Sequence, residues 1–333
     1  MPSIEAGISE VTLPQSGRGG TADASTLTKL LLQRLWAPEA APAFGALCLV
    51  VAALAWNSWT EIHWESSSPI LLLPAVSLPV CIVAAHFRLF PKGVEILFYL
   101  NLYYIFVFFS IQLTYHCIAI GYAFQDRALA RADAAIGFDW LSWAKFLTAN
   151  PLLLRITNWS YSSYAWQPLI IIPLLAMLKP RNGNAELFLS LWLAMALTLI
   201  ITTFVPAIGP ADALGFRPDP APVIRALHAS PSAQVLKYMG VVTFPSFHTI
   251  MAILFTFACR DIRFVFPAAV CLNLMMLVSV PHSGDHYLAD MIAGAIVALI
   301  VIGIVKLCES DRNAYSRRQS NAEIRLAVRD EPG

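Results

Sequence analysis

The feature that most constrains this chain is a series of long stretches that contain no Asp, Glu, Lys or Arg. A helix needs about 20 mostly apolar residues to span the hydrocarbon core of a bilayer. Seven uncharged stretches reach that length: 40–60, 66–87, 96–125, 156–178, 187–211, 238–259 and 264–284. An eighth, 291–305, reaches it when residues 286–290 join it. The pattern predicts an all-α, polytopic membrane protein with about eight transmembrane helices.

The composition supports this class. Charged residues make up 13% of the 333 residues, and the mean hydropathy is +0.64. Soluble domains carry about 25% charged residues, so this chain has too little polar surface for a water-soluble globule. The net charge of +1 indicates no nucleic-acid partner. None of the six cysteines belongs to a CxxC pair, so we expect no zinc site and interpret the cysteines as small buried hydrophobes.

The two ends of the chain differ from its middle. Residues 1–28 are rich in Ser, Thr, Gly and Ala and lack a compact apolar segment, which predicts a disordered tail rather than a signal peptide. Residues 309–333 are polar and basic, and we predict a disordered cytoplasmic tail there as well. Residues 137–148 fit an amphipathic helix that lies in the membrane interface. The apolar face of that helix is formed by Phe138, Leu141, Trp143 and Phe146.

The distribution of Lys and Arg predicts the orientation in the membrane, because cytoplasmic loops carry an excess of both. With eight spans, fifteen of the 22 basic residues fall on the side that holds both termini, and seven fall on the other side. The termini are therefore predicted to be cytoplasmic. The loop at 207–242 is predicted to lie on the opposite, non-cytoplasmic face.

Two short segments combine histidine with residues that support catalysis. Phe244-Pro-Ser-Phe-His248 opens the sixth span, and Gly284-Asp-His-Tyr-Leu-Ala-Asp290 opens the eighth. In the predicted topology both helix starts face the non-cytoplasmic side, so the two histidines can meet. Ionisable groups at membrane depth are costly, and their presence there indicates function.

Each residue of these segments suits a chemical role. His286 and Asp290 are four residues apart and share one helix face. The carboxylate can hold one ring N–H of His286 and leave the other nitrogen free to attack. His248 can then protonate a departing oxygen as a general acid. Pro245 and Ser246 suit the first positions of a helix, whose free backbone N–H groups form a natural phosphate site together with the serine hydroxyl.

For other polar residues near these motifs, the sequence gives weaker support for a role in catalysis. Asp285 is expected to cap the eighth helix, with a supporting role beside His286 as the alternative. His282 either supports His286 or simply belongs to the loop, and Tyr287 is a further candidate for holding the catalytic groups. The remaining histidines are interpreted as interface residues: His63, His86, His116 and His228.

Pro-Ser-x-His followed by His-x-x-x-Asp, each opening a membrane helix, resembles the type 2 phosphatidic acid phosphatase superfamily. Residues 242–248 and 284–290 look closest to its inositol phosphorylceramide synthase-like branch of inositolphosphotransferases. Gly137-Phe-Asp-Trp and Tyr161-Ser-Ser-Tyr resemble less specific landmarks of that branch. The resemblance covers roughly residues 95–305.

This resemblance implies a six-helix catalytic membrane domain over 94–308, preceded by two accessory transmembrane helices in 40–87. It also implies phosphoryl transfer that needs no metal and no other cofactor. The resemblance implies that His286 is the nucleophile that becomes phosphorylated and that Asp290 is its partner. It implies that His248 is the acid for the leaving group and that Ser246 supplies a phosphate-binding hydroxyl.

Two cation motifs of the phosphatases are missing. Their Lys-x6-Arg-Pro motif would end at Arg217-Pro218, but residue 210 is Pro rather than Lys, and their Ser-Arg pair before the nucleophile is Ser279-Val280 here. A phosphoryl group in transfer needs positive charge around it. We expect that charge from the 207–242 loop, with Arg225 as the first candidate. Lys237 equally suits a membrane-interface anchor, and Arg217 equally suits a solvated position.

Three functions remain open from the sequence. The first is a lipid phosphotransferase that moves a head group from a phospholipid donor, typically phosphatidylinositol in the synthase-like branch, to a lipid hydroxyl such as that of ceramide. The retained histidine pair and the lost phosphatase cations favour it. The second is a phosphatase of phosphatidate or isoprenyl phosphate, in which water is the acceptor. The third is a non-enzymatic scaffold or transporter, which the intact His248, His286 and Asp290 set disfavours.

Overall fold

The computed structural model describes residues 41–58, 63–64, 72–87, 89–178, 183–215, 221–229, 234–235 and 240–329. The tail predicted at 1–28 lies outside these ranges, as do the candidate cations Arg217 and Lys237. In chain order the elements are α1 (Ala41–Asn57), β1 (His63–Trp64), α2 (Leu72–His86), α3 (Pro91–Ala119), α4 (Asp126–Ala135), α5 (Trp140–Thr148), α6 (Pro151–Leu178), α7 (Gly183–Phe204), α8 (Pro210–Ala213), α9 (Ala221–Ala229), β2 (Gln234–Val235), α10 (Phe247–Ala258), α11 (Val265–Ser283) and α12 (Leu288–Arg329). The two short strands pair in parallel.

Five helices within the described ranges are long and apolar enough to cross a membrane: α3, α6, α7, α11 and the first part of α12. Large apolar side chains cover the outer surface, among them Leu152, Phe264 and Leu299, each more than 60% exposed. Such an apolar surface suits contact with lipid. Apart from the two short strands, the protein is thus an all-helical integral membrane protein, as predicted.

Three further apolar helices, α1, α2 and α10, are shorter. The 12 residues of α10 rise about 18 Å, well below the roughly 30 Å of a bilayer core. A count of eight complete spans is therefore not confirmed.

The uncharged stretches overestimate helix length because they ignore the residues that start and stop helices. In the predicted span 238–259, the described residues 240–246 are not helical, and helix α10 begins at Phe247 after its cap Ser246. The predicted span 187–211 ends as helix α7 at Phe204. Pro206 and Gly209 follow, and Gly209 has a φ of 122° that favours glycine.

The last helix is longer than predicted. Its backbone continues to Arg329, which differs from the disorder predicted for residues 309–333. The physical reason is that no Gly or Pro stands between Gly303 and Pro332, so the sequence contains no strong signal to end the helix. Residues 330–333 lie outside the described ranges.

Helix α10 forms the centre of the bundle. It packs against α6, α7, α11 and α12. Ile250, Leu254 and Phe255 are at most 1% exposed, so the helix is apolar nearly all round, as a helix enclosed by others must be. This packing places the start of α10, and with it His248, inside the bundle rather than at its lipid surface.

The peripheral helices surround this centre. Both α1 and α2 pack against α3, and α1 also contacts α7. The segment predicted to lie in the interface is helix α5, whose Asp139 side chain accepts hydrogen bonds from Leu141 N and Ser142 N. Trp140 Nε1 donates to Pro281 O over 2.7 Å, which joins α5 to the end of α11.

Candidate active site

The starts of α10 and α12 are joined directly through their backbones. Ser246 N donates to Asp290 O over 3.0 Å. A Cβ atom at Gly294 would lie only 2.5 Å from Ser246 O, so glycine allows the close approach of these two backbone segments. The two predicted motifs, which the sequence separates widely, therefore form one structural unit.

His286 lies on the α12 side of this unit and is 1% exposed. Its Nδ1 is 3.4 Å from Asp290 Oδ2, which also accepts a 2.8 Å hydrogen bond from Tyr287 N. With an ionised Asp290 and a neutral His286, the carboxylate can only accept, so this geometry suits a proton on Nδ1 and a free lone pair on Nε2. The other carboxylate oxygen, Asp290 Oδ1, is buried and has no partner among the described residues.

His248 lies on the α10 side, and its ring centroid is 5.8 Å from that of His286. The hydroxyl of Tyr161, on α6, is 2.9 Å from His248 Nε2. The ring of Tyr164 lies at 80° to that of the histidine, with the centroids 4.8 Å apart. A tyrosine hydroxyl can donate to the neutral imidazole and accept from the protonated one, so Tyr161 can hold His248 in both states.

Gly284 leaves the space that brings these rings together. A Cβ atom there would lie 2.8 Å from His286 Cδ2, 2.8 Å from Val280 O and 3.0 Å from Tyr161 Cε2. Val280 O is backbone and cannot give way as the tip of a side chain would. The glycine of the second motif is thus required by sterics beside the nucleophile candidate.

The start of α12 is capped by a carboxylate from another helix. Asp133, on α4, accepts hydrogen bonds from Leu288 N at 2.9 Å and from Ala289 N at 2.8 Å. Burial raises the pKa of the Asp133 carboxyl, and the two backbone N–H groups oppose that rise. The cap fixes the first turn of α12, which immediately follows His286.

Asp126, on the same helix, holds the neighbouring loop. Its carboxylate accepts from Ile208 N at 3.1 Å and Gly209 N at 2.9 Å, and from the Tyr287 hydroxyl at 3.2 Å. Tyr287, a predicted supporting residue, is 3% exposed, and burial raises the pKa of its hydroxyl well above the usual range. Helix α4 therefore holds both the residues that follow His286 and the neighbouring loop at Ile208 and Gly209.

The Asp285 side chain bonds to a helix other than the one that the sequence predicted it to cap. Its Oδ1 accepts from Ala211 N over 2.7 Å, at the start of the short helix α8. The cause is its backbone: Asp285 has a φ of 56°, in the left-handed region, and two residues lie between it and the start of α12 at Leu288. Asp285, the residue before His286, thus connects the 207–242 loop to the site.

Ser246 and His282 are both buried at the site. The Ser246 hydroxyl accepts from Thr249 N at 3.3 Å and from Thr249 Oγ1 at 3.2 Å, so it caps α10. Its predicted role in binding phosphate stays a prediction. His282 lies in the last turn of α11, on the turn that precedes Gly284.

Of the three predicted phosphate-binding cations, only Arg225 lies within the described residues. Arg225 forms an ion pair with Asp212, and its side chain is 60% exposed. It follows Ile224, which is buried in a small cluster with Tyr115 and Val241.

A cavity of about 550 Å³ adjoins the histidine pair. Helix α3 provides its long wall from Tyr103 to Thr114, and the opposite wall includes both histidines and Tyr161. Its described lining is mostly apolar or aromatic and includes no Lys or Arg. Pockets of this size and character accept ligands as large as drug molecules. The arrangement offers a basic nitrogen, a proton donor and an apolar space in one place.

The sequence analysis did not identify three residues that hold the site: Asp126, Asp133 and Tyr161. Asp126 and Asp133 are seven residues apart, which is about two helical turns, so they lie on the same face of a helix. That spacing is the sequence signal that could have indicated a shared role for the two carboxylates. Tyr161 appeared in a resembling segment, but nothing in the sequence connected it to His248. The structure thus adds α4 and α6 to a site that the motifs assigned to α10 and α12.

The family model of the PAP2 superfamily matches residues 127–304, more than half of the chain. The match includes both histidines, Asp290, Asp133 and Tyr161. No curated protein and no solved structure matches the chain significantly.

Proposed function

Because the chain belongs to the PAP2 superfamily, and so to the membrane enzymes of the phosphatase and phosphotransferase type, we propose that it is a lipid phosphotransferase. It moves a phosphoryl head group from a phospholipid donor to the hydroxyl of a lipid acceptor. The observation that carries this proposal is the histidine pair, with ring centroids 5.8 Å apart, at the wall of an apolar cavity between membrane helices. Such a cavity suits the hydrocarbon part of an acceptor better than it suits water.

In the first step, Nε2 of His286 attacks the phosphorus atom of the donor. An N–P bond forms, and the bond from phosphorus to the lipid oxygen breaks. His248 gives its proton to that oxygen, so the donor leaves as a neutral lipid alcohol. Asp290 stabilises the positive charge that develops on the His286 ring, and Tyr161 keeps His248 in place.

In the second step, the acceptor hydroxyl gives its proton to the now neutral His248. The acceptor oxygen attacks phosphorus, the N–P bond breaks, and His286 returns to its starting state. Both protonation states of His248 are used, which is why a tyrosine partner that can donate or accept suits this position. The negative charge on phosphorus needs cations, for which Arg225, Arg217 and Lys237 remain the candidates. In this proposal the protein side chains supply the nucleophile and the proton transfers without a metal.

The proposed donor is phosphatidylinositol, with inositol phosphate as the group transferred and ceramide or diacylglycerol as the acceptor. The support is the resemblance of residues 242–248 and 284–290 to the synthase-like branch. The absence of the two phosphatase cation motifs from the sequence agrees with that branch.

Product analysis tests the proposal. Purified protein receives phosphatidylinositol labelled in its phosphate, with and without ceramide or diacylglycerol. We expect label in a new lipid that requires the acceptor. Free inositol phosphate alone would indicate hydrolysis, and the absence of any product from a range of phospholipids would favour a scaffold or transporter. His286→Ala should abolish turnover, whereas His228→Ala, which removes a histidine bonded to Tyr122 O, should retain it.

We also propose that the site opens to the non-cytoplasmic face, with both termini in the cytoplasm. The excess of Lys and Arg on the side of the termini supports this orientation. A tag after Gly333 should resist protease added to sealed cells. Cleavage of that tag in intact cells would reverse the orientation.

A further inference from the structure

Trp140 is the last residue of Gly137-Phe-Asp-Trp, a segment that the proposed reaction does not use. The local sequence explains where it lies. Gly137 has a φ of 78°, which turns the chain after α4, and Asp139 caps α5. Trp140 is therefore the first residue of α5, and it is only 4% exposed. A buried indole at the start of this helix points into the bundle rather than into the membrane interface.

The indole of Trp140 bonds to a carbonyl group that also holds the backbone of His286. Trp140 Nε1 donates to Pro281 O at 2.7 Å, and His286 N donates to the same oxygen at 3.2 Å. A carbonyl oxygen has two lone pairs and can accept both bonds. A single oxygen atom thus connects α5 to the candidate nucleophile.

The end of α11 makes this carbonyl group available. The last carbonyl groups of a helix lack partners within that helix. Helix α11 ends at Ser283, and the left-handed Asp285 turns the chain so that His286 N returns to Pro281 O. This is the bond that closes a Schellman motif. The turn therefore determines the direction in which the His286 side chain leaves the backbone.

Trp140 also belongs to a small buried cluster with Ala144 and Ala211. Ala211 N donates to Asp285 Oδ1 at 2.7 Å, at the left-handed residue of the same turn. Trp140 is therefore linked to the residues around His286 in two ways, through the Pro281 carbonyl and through the cluster that contains Ala211.

A second tryptophan of α5 provides a contrast. Trp143 is about one turn further along the helix, and its ring stacks on Phe146 with the centroids 5.8 Å apart. Its Nε1 is buried and has no hydrogen-bond partner in the described part of the chain. The N–H group of Trp140 thus has a partner at the site, whereas that of Trp143 does not.

We propose that Trp140 is a positioning residue, whose indole N–H fixes the turn from which His286 attacks. This inference rests on the proposed function, because it concerns the reaction of the same histidine. Trp140 acts through Pro281 O and not on the lipid, so its loss should lower kcat and leave KM nearly constant.

Amide hydrogen exchange and kinetics together test the inference. Trp140→Phe removes the N–H group, and replacement of Trp140 by benzothienylalanine removes it while keeping the size of the ring. NMR of the full chain with ¹⁵N-labelled histidine follows the His286 amide, whose signal His286→Ala identifies. Both variants should exchange that amide about two- to tenfold faster and lower kcat by a similar factor, the range of one hydrogen bond. The same two replacements at Trp143 are the matched controls and should change neither value.

The outcomes separate this inference from the proposed function. A lower thermal midpoint with unchanged exchange at His286 would limit Trp140 to a role in stability and overturn the inference. Faster exchange with unchanged kcat would overturn it as well, because the turn would then not matter to the reaction. If the unaltered chain has no activity on phosphatidylinositol or other phospholipids, the proposed function fails. Faster exchange in the Trp140 variants alone would still show that Trp140 holds the backbone of His286.

Discussion

The two histidines of the site lie side by side, but their surroundings differ. His286 is held by a carboxylate of its own helix, and the start of that helix is capped by Asp133 from α4. His248 is held by the tyrosine hydroxyl of Tyr161 on α6 and faces a second tyrosine ring. A carboxylate favours a positive ring, as a nucleophile that becomes phosphorylated requires, whereas a hydroxyl suits a ring that gains and loses a proton. The difference supports the proposal that His286 is the nucleophile and His248 the acid.

The largest expected effect comes from removing each histidine in turn. His286→Ala should reduce turnover by about 10⁴-fold or more, because the covalent step is lost. His248→Ala should reduce it by about 10²–10⁴-fold, because only proton transfer is lost. Phospholipid analogues with a nitrophenolate leaving group need no acid for the first step. They should restore formation of the phosphorylated enzyme in His248→Ala but not in His286→Ala, as radiolabel incorporation measures. The opposite pattern would exchange the two roles.

The next largest effect is expected from the carboxylate. Asp290→Asn keeps the size of the side chain but removes its charge, so it should lower turnover by about 10²–10⁴-fold through the orientation and basicity of His286. Substrate binding should change little. Steady-state kinetics would show this as a loss in kcat with nearly constant KM. An equal loss of kcat in Tyr161→Phe would show that Asp290, the partner of His286, and Tyr161, the partner of His248, do not differ in importance.

Gly284→Ala should affect both histidines at once. The added Cβ would meet Val280 O and the rings of His286 and Tyr161, so the pair must separate. We expect activity to fall by about 10²-fold or more, since a displacement of about 1 Å at a reacting group costs that much. Gly303→Ala, on α12 with open space at its Cβ position, is the matched control and should keep full activity.

The motifs made much of this site predictable, because spacing along a helix determines which residues share a face. His286 and Asp290 could be paired in that way, and alternation of uncharged and charged segments placed both motifs at helix starts on one side. The partners from other helices could not be found in this way. Tyr161 is 87 residues from His248, and Asp133 is 155 residues from Leu288, so these contacts depend on how the helices pack. Helix ends were misjudged for a local reason, since Pro, Gly and caps decide them rather than charge.

A smaller effect should separate the two tyrosines beside His248. Tyr161→Phe removes the hydroxyl from Nε2 and should lower kcat about two- to tenfold, the range of one hydrogen bond. It should also shift the limb of the pH profile that reports the acid. Tyr164→Phe keeps the ring contact and should leave that limb in place. Matching pH profiles in both variants and the unaltered chain would mean that Tyr161 only packs against the histidine.

The smallest effect is expected from two carboxylates that cap helices: Asp133, which caps α12 from α4, and Asp139, which caps α5. Asp133→Ala and Asp139→Ala each remove a carboxylate that accepts from two backbone N–H groups, so both should lower the thermal midpoint. Only Asp133 caps the helix that follows His286, and its loss should also lower kcat, by less than the loss in Tyr161→Phe. Thermal unfolding and kinetics of both variants check this. A kcat that stays constant in Asp133→Ala would limit α4 to a role in stability.

The most direct test of the central claim is to trap the phosphorylated enzyme and locate the phosphate. The full chain is mixed with phosphate-labelled phosphatidylinositol in the absence of acceptor, quenched in alkali, digested and mapped by mass spectrometry. We predict an acid-labile, alkali-stable inositol phosphate group on His286, which disappears when a lipid alcohol is added before the quench. Label on another residue, or full turnover with no labelled protein at any time, would contradict a transfer through His286.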